Sequence, residues 1–525
     1  MPQSDDSIHG GSPGAPTRYL DTRGRDTSLP TFTQVVIQGI AQGGGLYVPE
    51  RVPMLSVDEI VALGSLPYHA RAAATHRALG VDIPDERLDG LMAQAFGPNF
   101  DHPAVAPVVE VTPGMHVLEL WHGPTSAFKD MALQCMPLLF SEAIAQRRAA
   151  GEALDDYLVL VATSGDTGKA ALEGFADRDF TSIAVFYPAD GVSDIQQKQM
   201  ITQRGGNVCV FGARGNFDDC QNAVKAVFND PVFGAELHER WGLKLSSANS
   251  INWGRLVPQI AYYLSAYADL VMSGAIRAGE SIDVCVPTGN FGNILAAWYA
   301  RKMGAPFARL LCASNENNVL TDFISTGVYD ISTRPFVTTP SPSMDILISS
   351  NLERLLYELC GDAACVAGWM ADLAATKRFQ VDEATWAAVR NLFIGDYITN
   401  DESLSVIHSV FEDTGYLLDP HTSVAWEVAQ RLRGERPVLI ASTAHWAKFG
   451  IDVYKALNGV AYRAPLPEDA ARLSGLDLLD RVSERTDQPI PRNLSELRSL
   501  PDRFTQVVDA STDGAREALR GWLAG

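Results

Sequence analysis

The chain has 525 residues, 46% of them hydrophobic and 20% charged, a globular composition on a length too great for one hydrophobic core, so two or three domains are expected. Its 63 acidic residues against 42 basic ones give a net charge of −21, which argues against a nucleic-acid partner or an anionic-membrane surface. The seven cysteines, mostly in apolar runs and without a Cys-x-x-Cys pair, read as reduced buried thiols; with no secretory signal and no run of membrane-spanning length, the expected compartment is the cytoplasm.

Residues 1–16, rich in Ser, Gly, Pro and Asp, read as a disordered tail. From Tyr19 to Pro107 the pattern is mostly helical, with a capped helix start at Thr31–Gly39 and a glycine run at Gly43, Gly44 and Gly45. The stretch Glu119 to Asp130 then delivers Lys129 from a Gly123–Pro124 turn, just ahead of an apolar helical run from Met131 to Phe140. A lysine held there is partly desolvated, its pKa falls, and it becomes a candidate Schiff-base amine. Taken alone it also reads as a solvated lysine beside a helix start.

From Tyr157 onward, runs of strand length alternate with amphipathic helices. Strands are expected at Tyr157–Ala162, Ser182–Tyr187, Asn207–Phe211, Leu243–Ser246, Ile282–Val286, Arg309–Cys312 and Pro437–Ala441. Helices are expected at Ile195–Gln203, Phe217–Phe228, Ile251–Tyr267 and Asn293–Lys302. This rhythm predicts a doubly wound, parallel α/β architecture. Residues 316–435 break it and read as a mainly helical insertion.

Four motifs fall where such folds place ligands, at strand ends and helix starts. Thr163-Ser164-Gly165-Asp166-Thr167-Gly168 offers hydroxyls and free amides suited to a carboxylate, or an ordinary capped turn. Pro287-Thr288-Gly289-Asn290-Phe291-Gly292-Asn293 forms a backbone cradle suited to a phosphate, yet is neither a Walker loop nor the dinucleotide fingerprint. Asn249-Ser250-Ile251-Asn252-Trp253-Gly254-Arg255 brings amides, a hydroxyl and a guanidinium together; its plainer reading is an N-cap at Asn249 or Ser250 with a surface arginine. Ser442 to Phe449 reads as a capped helix start with a solvated Lys448. No metal site is expected.

Together, His122 to Asp130, Thr163 to Gly168, Asn249 to Arg255, Gly289 to Asn293 and Thr443 to His445 resemble the long-form threonine synthases, a family of fold type II pyridoxal phosphate (PLP) enzymes. The likeness runs in order from about Tyr19 to at least Lys455. It includes Gly44 to Pro49, Pro342 to Leu347 and Ser349-Ser350-Asn351.

The resemblance implies two doubly wound parallel-sheet domains, a helical N-terminal region at 17–108 and the helical insertion at 316–435. The PLP-binding domain would comprise 109–128, 250–315 and 436–525, and the small α/β domain 129–249. It also implies Lys129 as Schiff-base lysine and general base, Gly289, Asn290, Phe291, Gly292 and Asn293 around the cofactor phosphate, and Thr443 facing the pyridine nitrogen. Ser164, Gly165, Asp166 and Thr167 would meet the substrate carboxylate, and Asn249, Ser250 and Arg255 the substrate phosphate. The implied reaction converts O-phospho-L-homoserine and water to L-threonine and phosphate, in a monomer whose small domain closes over the substrate.

The chain departs from the family pattern at Trp446, where a proline is usual and where the wall near the pyridine ring would change. It departs again in the loop Ala189 to Asp194, which has no basic residue. Two other readings stay open: another fold type II lyase, such as a threonine or serine dehydratase or a phospho-lyase, and a non-catalytic protein that binds a phosphorylated metabolite.

Overall fold

The computed structural model describes residues 16–163 and 165–525; residues 1–15 of the expected tail and Ser164 lie outside them. Two sheets organise the chain. The larger has six strands in the order Phe393–Tyr397, Phe307–Ser314, Ile282–Pro287, Val438–Ser442, Met115–Glu119 and Val108–Thr112. All its neighbours are parallel except the Val108–Thr112 edge. The smaller has five parallel strands in the order Val507–Asp509, Val208–Arg214, Thr181–Pro188, Asp156–Ala162 and Leu243–Ser246.

Parallel strands covered on both faces must be apolar throughout. Ile282–Pro287 and Val438–Ser442 are buried at every position. Each of the seven strands expected from the sequence is present, Leu243–Ser246 with the expected bounds and the others with one or both ends moved by one to three residues. Helix Trp253–Met272, predicted from Ile251, carries apolar residues around nearly its whole circumference and is buried along almost its entire length. It packs on Gly292–Lys302 and on the N-terminal helices.

Three features differ from the sequence reading. The run Met131–Phe140 is not one helix: Lys129–Leu133 ends and Met136–Ala149 begins, with Pro137 in the first turn of the second helix. Proline has no N–H to continue the ladder, so the helix restarts there. The 316–435 stretch, read as mainly helical, also supplies the edge strand Phe393–Tyr397, whose Phe393 pairs with Leu310. The far C-terminus adds Val507–Asp509 to the smaller sheet beside Gly212–Arg214. Short edge strands owe their form to a partner elsewhere in the chain, which local periodicity does not display.

Five of the cysteines are buried, and all seven are unpaired. Among the described residues no helix is long and apolar enough to cross a membrane. No group of three or more His, Cys, Asp or Glu side chains there is placed to hold a metal ion.

Candidate active site

A cavity of about 200 Å³ opens where the carboxyl ends of the strands from both sheets converge. Lys129 reaches it from the loop after Met115–Glu119. That loop is fixed by the Asp130 carboxylate, which accepts from Thr125 N at 2.8 Å and from Thr125 Oγ1 at 2.7 Å. A side chain at Gly123 would place its Cβ 2.5 Å from the same carboxylate, so the turn needs glycine. Phe128 N donates to Thr443 O at 2.8 Å, tying the lysine to the end of strand Val438–Ser442.

The Lys129 side chain is 8% exposed. Its Nζ donates to Ser343 Oγ at 2.8 Å and lies 3.5 Å from Asp166 Oδ2. Burial pushes the amine down; Asp166 pulls it back up, and Lys448 and Arg255 push it down further, leaving it at about 8. An amine poised there can both accept and return a proton near neutral pH.

Asp166 serves two lysines. Lys448, expected in solvent, is fully buried, and its Nζ lies 2.8 Å from Asp166 Oδ1 and 2.8 Å from Thr125 O. Gln196 Nε2 donates to Asp166 Oδ1 at 3.1 Å and Ser343 Oγ to Oδ2 at 3.3 Å. Burial alone would raise this carboxyl, but Lys448 and Lys129 outweigh it and hold it below the ordinary carboxylate range.

Of the Thr163–Gly168 loop, Thr163, Asp166 and Thr167 line the cavity. Gly165 lies behind them, with φ at 146° and no room for a Cβ beside Gln196. Two of the amides expected to be free, Gly165 N and Gly168 N, donate to Thr163 Oγ1 at 3.0 and 2.9 Å.

The 289–293 loop enters helix Gly292–Lys302 through Phe291, which is left-handed at φ 65°. Asn351 N and Nδ2 donate to Asn290 O, and Ser349 Oγ to Gly289 O at 2.6 Å. A Cβ at Gly289 would stand 2.7 Å from Ser343 O. Asn293 Oδ1 accepts from Tyr262 OH at 2.7 Å and from Tyr263 OH at 2.5 Å, while its buried Nδ2 has no partner among the described residues. A cradle of this kind, with an orphaned amide donor at a helix N-terminus and a lysine on the same cavity, fits a phosphorylated aldehyde cofactor. Thr443 lines that cavity as well.

Arg255 sits in the first turn of helix Trp253–Met272. The cap is Asn252, three residues after Asn249 and two after Ser250: its side chain accepts from Gly254 N at 2.9 Å and its Nδ2 donates to Val36 O. Asn249 and Ser250 instead line the cavity. Arg255 is 4% exposed rather than on the surface. Its Nη1 donates to Ala248 O at 2.8 Å; among the described residues its Nε has no partner and no carboxylate pairs with it. Burial lowers its pKa to about 10.

The cavity therefore gathers Lys129, Asp166, Thr167, Asn249, Ser250, Arg255, Gly289 to Asn293 and Thr443. The sequence reading gave no role to Ser343, His421 or Gln259, which also line it. Ser343 lies in a segment already noted for its resemblance. His421 follows an Asp-Pro helix start, a capping signal that marks its position but not its direction. Trp446, expected to alter the wall near the cofactor ring, is 4% exposed and packs in the apolar core beyond the cavity.

Three family models match the chain: threonine synthase N terminus at residues 18–96, pyridoxal-phosphate dependent enzyme at 115–443 and threonine synthase C-terminal at 422–518. Threonine synthase from Pseudomonas aeruginosa is 38% identical over 92% of this chain and 97% of its own length. Threonine synthase-like 1 from Homo sapiens is 44% identical over 82% of this chain, which spans 58% of that relative. Among solved structures, PLP-bound threonine synthase from Brucella melitensis superposes with a TM-score of 0.82 at 36% identity, covering 97% of this chain and 100% of the other. The yeast threonine synthase gives 0.84 at 32% identity, covering 98% and 100%. The chain belongs to the pyridoxal-phosphate dependent enzymes and, among them, to the threonine synthase family.

Proposed function

We propose that the chain converts O-phospho-L-homoserine and water to L-threonine and phosphate. The observation that carries this reading is Arg255: a buried guanidinium without a carboxylate partner among the described residues, on the same cavity as the Lys129 amine and the orphaned Asn293 amide. One cavity thus offers two separate seats for anions beside one amine. PLP, when bound, stores the electron pair released at the substrate Cα.

Asn293 and the 289–292 backbone hold the cofactor phosphate, and Thr443 faces the ring. Thr167 meets the substrate carboxylate, with Ser164 assigned there by the resemblance alone; Gly165, whose amide goes to Thr163, shapes the turn behind them. Arg255, Asn249 and Ser250 bind the substrate phosphate, keep it as it leaves, and orient the water that adds at Cβ. Lys129 takes the Cα proton, then the Cβ proton; one proton goes to Cγ, which becomes the methyl carbon once phosphate has left, and one returns to Cα, while the proton of the added water leaves with the phosphate. Asp166 was read as part of the carboxylate loop; its place between Lys129 and Lys448 favours a different task, setting the charge balance around the amine.

The test is turnover of phosphohomoserine with and without PLP, quantifying threonine and 2-oxobutyrate. Threonine with equimolar phosphate supports the reading; 2-oxobutyrate alone makes the chain a deaminating lyase. Binding without turnover, and without a borohydride-fixed adduct on Lys129, makes it a metabolite binder. The same reading gives a cytoplasmic monomer with closure of 129–249 over the cavity, checked by cell fractionation, light scattering and small-angle scattering with and without substrate.

A further inference from the structure

We propose that Ser343 is a positioning residue: its hydroxyl, on a backbone fixed by the Asp419–His421 pair, keeps the Lys129 amine apart from the Asp166 carboxylate so that the amine can act as a base. This rests on the reading of Lys129 as the proton carrier. The geometry is a wedge. Lys129 Nζ to Ser343 Oγ is 2.8 Å, Ser343 Oγ to Asp166 Oδ2 is 3.3 Å, and the direct ion-pair distance is 3.5 Å. The hydroxyl accepts from the amine and donates to the carboxylate, so both charged groups keep a partner without meeting at full contact.

The wedge is held from behind. Ser343 N donates to His421 Nε2 at 3.2 Å, and His421 Nδ1 lies 2.9 Å from Asp419 Oδ1. An Nε2 that accepts is unprotonated, so the ring is neutral and its Nδ1–H goes to Asp419. Both residues are almost fully buried. On the other side, Ser343 O closes against Gly289, which explains why that position has no side chain. The turn continues into Asp345, whose carboxylate is held by Thr339 and by Asn315 at 2.8 Å. The Ser343 backbone is thus held in place, and its hydroxyl, bonded to both Lys129 and Asp166, sets the position of the amine.

Without the hydroxyl the amine can close on Asp166. Shortening 3.5 Å to a contact of about 2.8 Å, at an effective dielectric of ~20, favours the ammonium enough to raise its pKa by about one unit. The charges and titratable groups facing Lys129 are Asp166 from helix Asp166–Phe175, Lys448 from the Trp446–Phe449 turn, Arg255 from Trp253–Met272, His421 from Pro420–Leu432, Asp345 from the Ser343 turn and Asp130 from its own helix. Of these, the Ser343 side chain touches only Asp166, while its hydroxyl also accepts from Lys129 itself.

The experiment is competitive acetylation of the cofactor-free full chain across pH 6–11, with Lys129 followed by peptide mapping. The wild-type midpoint is expected near 8, and Ser343→Ala is expected to raise it by about one unit. In an Asp166→Asn background the same substitution is expected to leave the midpoint unchanged, because the wedge then has nothing to separate. Ser343→Cys, similar in size but a weaker acceptor, is expected to fall between the two and serves if the alanine variant does not fold. An unmoved midpoint, or an equal rise in the Asp166→Asn background, overturns the proposal. Acid-limb shifts in phosphohomoserine turnover, with KM unchanged, are expected to follow the labelling midpoints. If no variant, including the wild type, turns over phosphohomoserine, the proposed reaction fails while the labelling result stands on its own.

Discussion

Replacing Lys129 with methionine is expected to make the cofactor-free protein more stable. The Lys129 amine sits at about 8 against an ordinary 10.5. Between those values the unfolded chain holds a proton that the folded chain has released, so stability rises with pH there. Below pH 8 both states are protonated, and the folded state carries the full cost of a buried ammonium. A gap of about two and a half pH units corresponds to about 3 kcal/mol at pH 7. Methionine fills similar space, needs no proton and leaves Asp166 paired with Lys448 at 2.8 Å. Urea unfolding of both proteins at pH 7, 8, 9 and 10.5 checks this. The variant is expected to lead by about 3 kcal/mol at pH 7 and to lose that lead as pH approaches 10.5. A wild type equal to or more stable than the variant at pH 7, or a difference that does not change with pH, refutes the reasoning.

Arg255→Lys is expected to keep PLP binding but to cut phosphohomoserine turnover by about 10- to 100-fold, because lysine cannot make the paired contacts of a guanidinium; full activity in steady-state assays would remove Arg255 from the substrate site. Tyr263→Phe deletes one of the two hydroxyls that hold Asn293 Oδ1. Fluorescence titration is expected to show PLP affinity weakened by about fivefold, one ordinary hydrogen bond. Gly289→Ala would set a methyl group 2.7 Å from Ser343 O; loss of cofactor binding and about 1–3 kcal/mol of stability are expected from titration and urea unfolding. Lys448→Met strands half of the Asp166 charge, and a loss of about 3–5 kcal/mol is expected at pH 7, partly recovered when Asp166→Asn is added.

The parallel strands and the glycine loop at 289–293 were legible because they are local patterns. A buried parallel strand must be an apolar run, as Val284-Cys285-Val286 is, and a cradle needs glycines in sequence, as Gly289 and Gly292 are. Edge strands such as Phe393–Tyr397 were not legible, because their form comes from Leu310 and its neighbours more than 80 residues away in sequence. Burial of charge was the least legible. Lys448 and Arg255 occur in segments that read as helix starts, where a long cationic side chain ordinarily snorkels into water. Only the fold shows that both point inward, one to a carboxylate and one to none among the described residues.

That asymmetry accounts for the chemistry better than any single residue does. Among the described residues, Asp166 is the one carboxylate within ion-pair distance of any of the three cations Lys129, Lys448 and Arg255; Asp130 and Asp345 are held by hydroxyl and amide donors instead. Asp166 is engaged most closely by Lys448, at 2.8 Å, and is kept 3.5 Å from Lys129 by the Ser343 hydroxyl. The surplus positive charge has two outlets. Lys129 can shed its proton, which is what a base near neutral pH requires, and Arg255 can take an anion, which is what a phosphorylated substrate supplies. In the proposed reaction, a phosphate entering beside Arg255 reduces the push on Lys129, so the amine becomes more basic when it is to take a proton. Anion binding and base strength are therefore coupled: inorganic phosphate is expected to raise the Lys129 labelling midpoint in the wild type and to leave it unmoved in Arg255→Met.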